Sequence, residues 1–249
     1  MAALKVENLS FKTNKQDILK NVSFEVEKGS LVAFIGSNGA GKTTTIKCIV
    51  GLYPYTQGVI TIDGINVKDE TSRLKLGYVP EKENFPKIKT KQFLNSCIEY
   101  FHISNQQRDE IIAKLSKLFK VEELLNKKLP KLSSGQKKKI LIMQALLHDP
   151  DLLIMDEPTE NMDPDARLVF YDIIKAMKNV GKTIFISTHN LDEIQKYADH
   201  VIVIKSGEIQ YSGSATKSDL YKVYEQHTEH PDQAKEAATI TAEDIFQKK

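Results

Sequence analysis

Leu31-Val-Ala-Phe-Ile-Gly36-Ser-Asn-Gly-Ala-Gly41-Lys42-Thr43-Thr44 is the most informative stretch of this 249-residue chain. Its first five residues are apolar and predict a buried strand, and the residues from Gly41 to about Val50 predict a helix. The residues between strand and helix fit the pattern G-x-x-x-x-G-K-[ST] of a phosphate-binding loop. An ordinary glycine-rich turn is the alternative, and the flanking strand and helix disfavour it.

The residue types of this loop explain how it would hold phosphates. Glycines let backbone N–H groups wrap around phosphate oxygens, and the following helix presents its positive N-terminal end. Lys42 can reach the β- and γ-phosphates, and the Thr43 hydroxyl is positioned for Mg²⁺. The predicted nucleotide-binding residues of the loop are Gly36, Ser37, Asn38, Gly39, Ala40, Gly41, Lys42, Thr43 and Thr44.

A second candidate part of the site is the strand-like run Leu152-Leu-Ile-Met155, which ends at Asp156-Glu157. A carboxylate at the end of a strand beside the phosphate-binding strand can hold Mg²⁺ through water, which predicts Asp156 as a metal residue. Glu157 is predicted to polarise the attacking water as the general base. Two solvated acids at a strand end are the alternative, and the following Pro158-Thr159 disfavours it.

Two further polar segments are candidates. Ser187-Thr-His189 follows a predicted strand, so His189 would lie at its C-terminal edge, where ligands gather in open parallel sheets; a structural histidine is the alternative. Leu132-Ser133-Ser134-Gly135-Gln136 opens a predicted helix, where Ser133 acts as a cap and the helix N-terminus suits an anion. The lysines that follow, 137–139, are most simply a solvated face.

Hydrophobic periodicity along the rest of the chain predicts an α/β fold. The first thirty residues alternate like half-buried strands, and strand signals recur at 59–63, 76–79, 152–155, 183–187 and 201–204. A helix near 165–179 separates two of them, which favours parallel pairing, and Ser206-Gly207 predicts a hairpin turn. Residues from about 90 to 147 have helical spacing only and predict an inserted helical segment.

The composition narrows the class of protein. Hydrophobic residues make up 41% and charged residues 27% of the chain, which excludes a disordered or fibrous protein. The net charge of +2 does not indicate a nucleic-acid binder, and the 2 cysteines favour a reducing compartment. No apolar run approaches the roughly 20 residues of a membrane span, and the N-terminus lacks the layout of a signal peptide. A role at a membrane would therefore require another chain.

Taken together, four motifs resemble those of the nucleotide-binding subunits of ABC transporters. They are the phosphate-binding loop, Leu-Ser-Ser-Gly-Gln at 132–136, Leu-Ile-Met-Asp-Glu-Pro-Thr at 153–159 and Ser-Thr-His at 187–189, in the family's order. The resemblance covers about residues 4–213. It implies a P-loop NTPase core with a mainly parallel sheet, an N-terminal antiparallel β subdomain and an inserted α-helical subdomain at about 90–147. The implied domain is 1–213, followed by a short C-terminal tail, 214–249.

The resemblance also implies an ATPase that one chain cannot complete. In the family two such domains pair head to tail around two ATP molecules, and closure drives attached membrane subunits. The expected ligands are ATP and Mg²⁺, and Glu157 and His189 would take part in hydrolysis. The expected partners are transmembrane permease subunits, which would hold this chain at the cytoplasmic face of the cell membrane, and a second nucleotide-binding subunit, the same or different. The γ-phosphate of the partner's ATP would be contacted by the signature residues Ser133, Ser134, Gly135 and Gln136.

Some positions depart from the family's pattern. Thr13 stands where the family often stacks adenine on an aromatic residue, and Phe11 is the only aromatic residue nearby. Glu81 replaces the usual glutamine after Pro80; it still offers oxygen to the nucleotide's Mg²⁺, and it resembles the Pro-Glu variant of drug-, antibiotic- and bacteriocin-efflux branches. Ser134 and Glu160 stand where the family usually has smaller residues.

Two more segments resemble the family, and two other functions stay open. Met162-Asp163-Pro164 resembles the loop that crosses the dimer interface, with an aspartate–proline turn as the alternative. Thr241-Ala-Glu-Asp-Ile-Phe246 resembles the closing segment of drug exporters, which favours export.

A soluble ABC protein acting on ribosomes or DNA is one alternative function; such members usually carry two domains or a long coiled coil. A sensor that binds nucleotide without hydrolysis is the other, and Glu157 and His189 argue against it.

Overall fold

The computed structural model describes residues 2–215 except Lys15, Glu83, His102 and Asn161. Strands and helices alternate along most of this range. The strands are β1 (Ala2–Lys12), β2 (Asp17–Glu27), β3 (Leu31–Ile35), β4 (Gln57–Ile62), β5 (Ile65–Asn66), β6 (Leu76–Val79), β7 (Leu152–Asp156), β8 (Thr183–Thr188), β9 (His200–Lys205) and β10 (Glu208–Ser214). The α-helices are α1 (Lys42–Ile49), α2 (Thr90–Glu99), α3 (Asn105–Phe119), α4 (Ser134–Leu146), α5 (Pro164–Asn179) and α6 (Leu191–Ile194).

Two sheets confirm the predicted α/β class with a mainly parallel core. The larger sheet has the order β10-β9-β3-β8-β7-β6, and its pairs are parallel except for the hairpin of β9 and β10. The hairpin turns at Ser206-Gly207, as predicted, with φ of +50° and +82°. The smaller sheet, β2-β1-β4-β5, is antiparallel and contains the N-terminal strands.

The parallel register brings four strand ends to one edge of the larger sheet. Ile35 at the end of β3 pairs with Thr188 of β8, and Asp156 at the end of β7 pairs with Ser187. Val79 at the end of β6 pairs with Met155 of β7. The segments that leave these strands, which carry most of the candidate site residues, therefore start side by side.

Apolar side chains fill both faces of the larger sheet. One core lies between the two sheets, where the rings of Phe24, Phe34 and Phe185 are 5.2–5.7 Å apart. The other core joins the opposite face to α4, α5 and the helical segment, which contributes Leu94, Ile98 and others. Because β3, β7 and β8 are buried on both faces, their sequences are continuous apolar runs without alternation.

The segment 90–147 is helical, as its spacing predicts. It contains α2, α3 and α4 with two short 3₁₀ turns, and one isolated antiparallel bridge joins Lys89 to Lys128. In the part of the chain that the structure describes, no helix is both long and apolar enough to cross a bilayer. The division into 1–213 and 214–249 stays a prediction, and 241–246 lies outside the described residues.

Candidate active site

A cavity of about 520 Å³ lies at the edge of the larger sheet where the four strands end. It brings together residues from the phosphate-binding loop and from the ends of β6, β7 and β8. The lining residues are Gln16, Ile18, Ser37, Asn38, Gly39, Gly41, Lys42, Thr43, Thr44, Glu81, Lys82, Glu157, Glu160 and His189. Of the residues predicted for the phosphate-binding loop and for the ends of β6, β7 and β8, Gly36, Ala40 and Asp156 do not line the cavity.

The glycines of the phosphate-binding loop are required by its geometry. A Cβ atom at Gly36 would lie 2.4 Å from the carbonyl oxygen of Ile204 on β9, so the loop passes too close for any side chain. Gly41 has φ +112° and forms the N-cap of α1. The first residues of α1, Lys42 to Thr44, line the cavity, and the amides of a first helical turn lack acceptors within the helix.

The Lys42 ammonium is buried at the base of the cavity. It donates to the carbonyl oxygens of Gly36 at 2.7 Å and Ser37 at 3.3 Å, and its Nζ lies 3.4 Å from Oε1 of Glu157. The carbonyl oxygens of the loop thus hold the ammonium in place at the base of the cavity. A phosphate group placed there would meet a preorganised positive charge.

Glu157 lies between the phosphate-binding loop and His189. Its Oε2 is 3.0 Å from Nδ1 of His189, and its backbone N–H donates to the hydroxyl and the carbonyl of Ser187 at 3.1 and 3.2 Å. Its φ is +44°, a left-handed conformation that is strained for a glutamate. The carboxylate is only 8% exposed, and its orientation suits a base that is itself oriented by a histidine.

Asp156 lies behind Glu157 and is fully buried. The Ser187 hydroxyl donates to its Oδ1 at 2.6 Å, while Oδ2 has no hydrogen-bond partner among the residues that the structure describes. Burial raises the pKa of Asp156, and hydrogen bonding from Ser187 and Thr43 opposes that shift. An unpartnered buried carboxylate oxygen beside Thr43 is a donor set that Mg²⁺, an oxygen-seeking cation, would satisfy.

Lys138 contradicts the prediction of a solvated lysine face. Its side chain is only 6% exposed, and its ammonium donates to the carbonyl oxygens of Pro80 and Glu81. Lys137 and Lys139, its neighbours on α4, are half-buried. The triplet is therefore not one surface, because its central lysine faces the loop that follows β6.

The signature residues lie at the start of α4, outside the cavity. The Ser133 hydroxyl accepts a hydrogen bond from the Gln136 N–H at 3.2 Å, and the Gln136 side chain accepts from the Ser133 N–H at 3.1 Å. This capping box confirms Ser133 as the helix cap. Ser133 and Ser134 are exposed, and Gly135 has open space around it. These residues do not reach the nucleotide cavity of their own chain.

Met162-Asp163-Pro164 connects Glu160 to α5. Met162 is buried, and the Asp163 side chain caps α5 by accepting from the Ala166 N–H at 2.8 Å. Arg167 donates to the carbonyl oxygen of Met162 at 3.1 Å and to Glu193 on α6 at 2.8 Å. The segment after Glu157 is thus tied to the helix that follows His189.

Sequence reasoning missed several lining residues. Gln16 and Ile18 border the cavity where no motif marks them, whereas Phe11 stacks on Tyr53, with ring centroids 5.4 Å apart, and does not line the cavity. Lys82, which pairs with Glu81 at 2.8 Å, was also missed. Ser187 could have been found, because it lies in the Ser-Thr-His motif and its strand pairs with the acidic strand.

A second, largely apolar groove of about 480 Å³ lies between the larger sheet and the helical segment. Its walls come from the segment after α1 and from β6, α2 and α4, and it reaches Pro80, the residue before Glu81. Leu52, Phe93, Tyr100 and Phe101 are among the apolar and aromatic residues that line it. Tyr100 is 54% exposed, which is high for an aromatic side chain.

Comparisons with known proteins agree on one family. Residues 19–160 match the model of the ABC transporter family. A Mycoplasma pneumoniae protein named as an ABC transporter ATP-binding protein is 43% identical over 201 residues, which are 80% of this chain and 62% of that protein. This chain therefore spans less than two thirds of that relative.

Two other relatives have names that describe different roles, resistance and uptake. The linearmycin resistance ATP-binding protein LnrL of Bacillus subtilis is 33% identical over 87% of this chain and 70% of its own length. The zinc uptake system ATP-binding protein ZurA of Listeria innocua is 33% identical over 88% of both chains. A solved structure of an ATP-binding subunit of an ABC transporter superposes with a TM-score of 0.81 at 30% identity, covering 95% of this chain and 99% of that one.

Proposed function

The chain belongs to the ABC transporter family, and on that basis we propose that it is the ATP-hydrolysing subunit of a transporter. The observation that supports this most directly is the position of Glu157. Its carboxylate lies 3.4 Å from the Lys42 ammonium and 3.0 Å from the His189 ring, at the wall of a cavity beside a phosphate-binding loop. A phosphate-binding cation, a base and an orienting histidine are the groups that hydrolysis of a phosphoanhydride needs.

In the proposed reaction, the loop amides and Lys42 bind the β- and γ-phosphates of ATP. Glu157 accepts a proton from the water that attacks the γ-phosphorus, and His189 holds the Glu157 carboxylate through Nδ1. Thr43, Asp156 and Glu81 supply oxygen ligands for Mg²⁺, which when bound neutralises charge on the β- and γ-phosphates. Ser187 fixes Asp156 through the 2.6 Å hydrogen bond, so that its other carboxylate oxygen remains available.

The proposed second half of each site is a second ATP-binding subunit. Ser133, Ser134, Gly135 and Gln136 lie at an exposed helix N-terminus away from the cavity of their own chain. A helix N-terminus that carries serine side chains suits the γ-phosphate of ATP bound to a facing subunit. Met162-Asp163-Pro164 would lie in the same interface, beside the residues after Glu157.

ATP turnover is the first test of this proposal. Purified protein should release phosphate from Mg-ATP, and Glu157→Gln should lower the rate by roughly 10²–10⁴-fold because the general base is lost. ATP should still bind to Glu157→Gln, whereas Lys42→Ala should lose binding because the phosphates lose their buried cation. Wild-type protein without activity in the presence of its membrane partner would contradict the proposal, and so would an unchanged rate in Glu157→Gln.

The proposed membrane partner is the permease subunit of the same transporter, which places the chain at the cytoplasmic face of the membrane. The apolar groove supports this role because it carries exposed aromatic surface and lies next to Pro80 and Glu81 at the edge of the cavity. A permease segment in the groove would contact the loop that leads to the nucleotide. The occupant we propose is an apolar cytoplasmic segment of the permease.

Co-purification can test the groove. Tyr100→Asp should abolish co-purification with the membrane protein encoded beside this chain, because a charge in the groove would have to be desolvated on docking. Val180→Asp is the matched control, because Val180 is 76% exposed and lies outside the groove. Equal recovery of both variants would contradict the proposed docking site.

Export is the direction we propose, and the name of the LnrL relative supports it, as does Glu81 after Pro80. ZurA, at the same identity, is named for uptake, so the family alone does not decide between the directions. Inverted membrane vesicles containing the complex would decide. An exporter accumulates its cargo in such vesicles when Mg-ATP is added outside, and an importer does not.

A further inference from the structure

Lys138 is a buried cation that the proposed reaction does not use. Its ammonium donates to the carbonyl oxygens of Pro80 at 3.1 Å and Glu81 at 3.0 Å, and the carbonyl oxygen of Glu157 lies 3.5 Å away. These acceptors belong to two different segments, the loop after β6 and the end of β7. An ammonium has three donors, so this arrangement uses its full capacity to join the two segments.

The surroundings of Lys138 are strongly acidic. The carboxylates of Glu160, Asp156, Glu81 and Glu157 all stabilise its charge, although burial lowers its pKa. The side chains of Glu81, Glu157 and Glu160 also line the cavity that would receive a triphosphate. A polyanionic ligand facing several carboxylates needs fixed positive charge nearby.

The two lysines that line the cavity do not supply the buried positive charge that Lys138 supplies. Lys42 lies at its base beside Glu157, and Lys82, which pairs with Glu81, is 81% exposed and therefore screened by solvent. Lys138 is held against the backbone of Glu81 itself and away from solvent, where a charge acts more strongly.

We propose that Lys138 is a positioning residue of the nucleotide site, which holds the Pro80–Glu81 backbone against the end of β7 and offsets the negative charge of Glu81. This inference rests on the proposed function, because it assigns Lys138 a role in binding and turning over a nucleotide. It explains how a glutamate can face the phosphates at this position. The Lys138 side chain also links Pro80, which the apolar groove reaches, to the backbone of Glu157.

A double-mutant cycle between Lys138 and Glu81 tests the charge relation. Lys138→Gln should weaken the binding of a fluorescent ATP analogue, measured in EDTA without metal, by roughly tenfold, because the carboxylates around position 138, Glu81 among them, lose a buried positive charge. In the Glu81→Gln background the same change should cost about threefold or less. Equal losses in the two backgrounds would overturn the proposal, because a purely structural lysine has no reason to depend on the charge at position 81.

Turnover gives a second readout. Lys138→Gln should lower kcat more than it raises KM, because Glu157 loses a backbone contact, and Glu81→Gln should restore part of the loss. Lys137→Gln, one position earlier on α4, is the matched control and should resemble wild type. If Lys138→Gln folds only together with Glu81→Gln, the charge relation is supported, and failure to fold in both backgrounds overturns it. Wild-type protein that binds ATP without turnover would contradict the proposed function, while the binding cycle would still decide the role of Lys138.

Discussion

Glu157 has a strained backbone at the point where the site needs an accurately placed carboxylate. A left-handed conformation costs a non-glycine residue about 1–3 kcal/mol, and here the backbone N–H bonds to Ser187 hold it. The same turn directs the side chain towards Lys42 and His189. The strain is therefore coupled to the position of the base, and a residue at 157 with a relaxed backbone would move the carboxylate away from the phosphates.

The base end of the nucleotide has an unusual environment at the residue scale. Gln16 and Ile18 line this part of the cavity, and no aromatic side chain is among the described lining residues. Phe11, the nearest candidate, is engaged with Tyr53, whose ring also has the Lys47 ammonium 5.0 Å away. A base bound there would rest on an aliphatic chain and one amide side chain, without an aromatic ring to stack on.

We expect ATP and GTP to bind with similar affinity. Aromatic stacking contributes roughly 1–3 kcal/mol per base, and without it the two dissociation constants should differ by no more than about tenfold. Competition of each nucleotide against a fluorescent analogue measures the ratio. Ile18→Ala should weaken both nucleotides alike, and a preference for ATP above about a hundredfold would show that another group reads the base.

Single residues also mark the limit of what could be predicted from the sequence. Ser133 could be predicted as a cap because serine at a helix start has a local physical role, and the structure adds the reciprocal hydrogen bond of Gln136. Lys138 was misread because its exposure depends on the phase of α4 relative to the loop after β6. The following residues, Ile140 to Met143, are all buried, so periodicity does not reveal which lysine faces inward.

At the scale of elements, the functional residues at the strand ends could be predicted, but the contacts between the helices that follow these strands could not. Apolar runs that end in Gly36, Asp156 and His189 indicated parallel strands with functional residues at one edge, and the register of β3, β7 and β8 fulfils this. The contact of α5 with α6 through Arg167 and Glu193 had no such signal, since it joins residues far apart in the chain. Long-range side-chain pairing of this kind depends on the folded geometry.

The start of α5 offers a prediction at this scale. Asp163→Ala should lower the free energy of unfolding by about 1 kcal/mol, because the Ala166 N–H loses its acceptor. Asp163→Asn should keep most of the stability, since asparagine caps helices as well as aspartate does. Urea denaturation of the three proteins measures the difference. Equal destabilisation by both changes would assign the effect to the charge of Asp163 instead of the cap.

At the scale of the whole molecule, the two groups of nucleotide-contacting residues do not meet within one chain. The cavity takes its residues from the ends of β3, β6, β7 and β8, and the signature residues lie at the start of α4 outside it. The motifs predicted this through the family resemblance, not through spacing. In the proposed pairing, each chain would contribute one group of residues to its own site and the other group to the site of a second chain.

Association should therefore depend on bound ATP. Glu157→Gln with Mg-ATP should elute in size-exclusion chromatography at twice the mass of the nucleotide-free protein, because ATP persists and bridges two chains. Adding Lys42→Ala to Glu157→Gln should keep the protein at the mass of one chain. A Glu157→Gln protein that binds Mg-ATP and still elutes as one chain would contradict the proposed pairing, unless a different subunit must be supplied, which co-expression with the membrane partner would reveal.

The placement of the signature residues outside their own cavity sets the kinetic order of the reaction. In the proposed pairing, two dilute copies must collide before either can turn over, so the rate of the free subunit should rise with the square of its concentration at low occupancy. Binding both copies to one membrane complex replaces that collision by a local concentration on the order of millimolar. Free copies would therefore hydrolyse little ATP, and hydrolysis would be concentrated where the transporter is assembled.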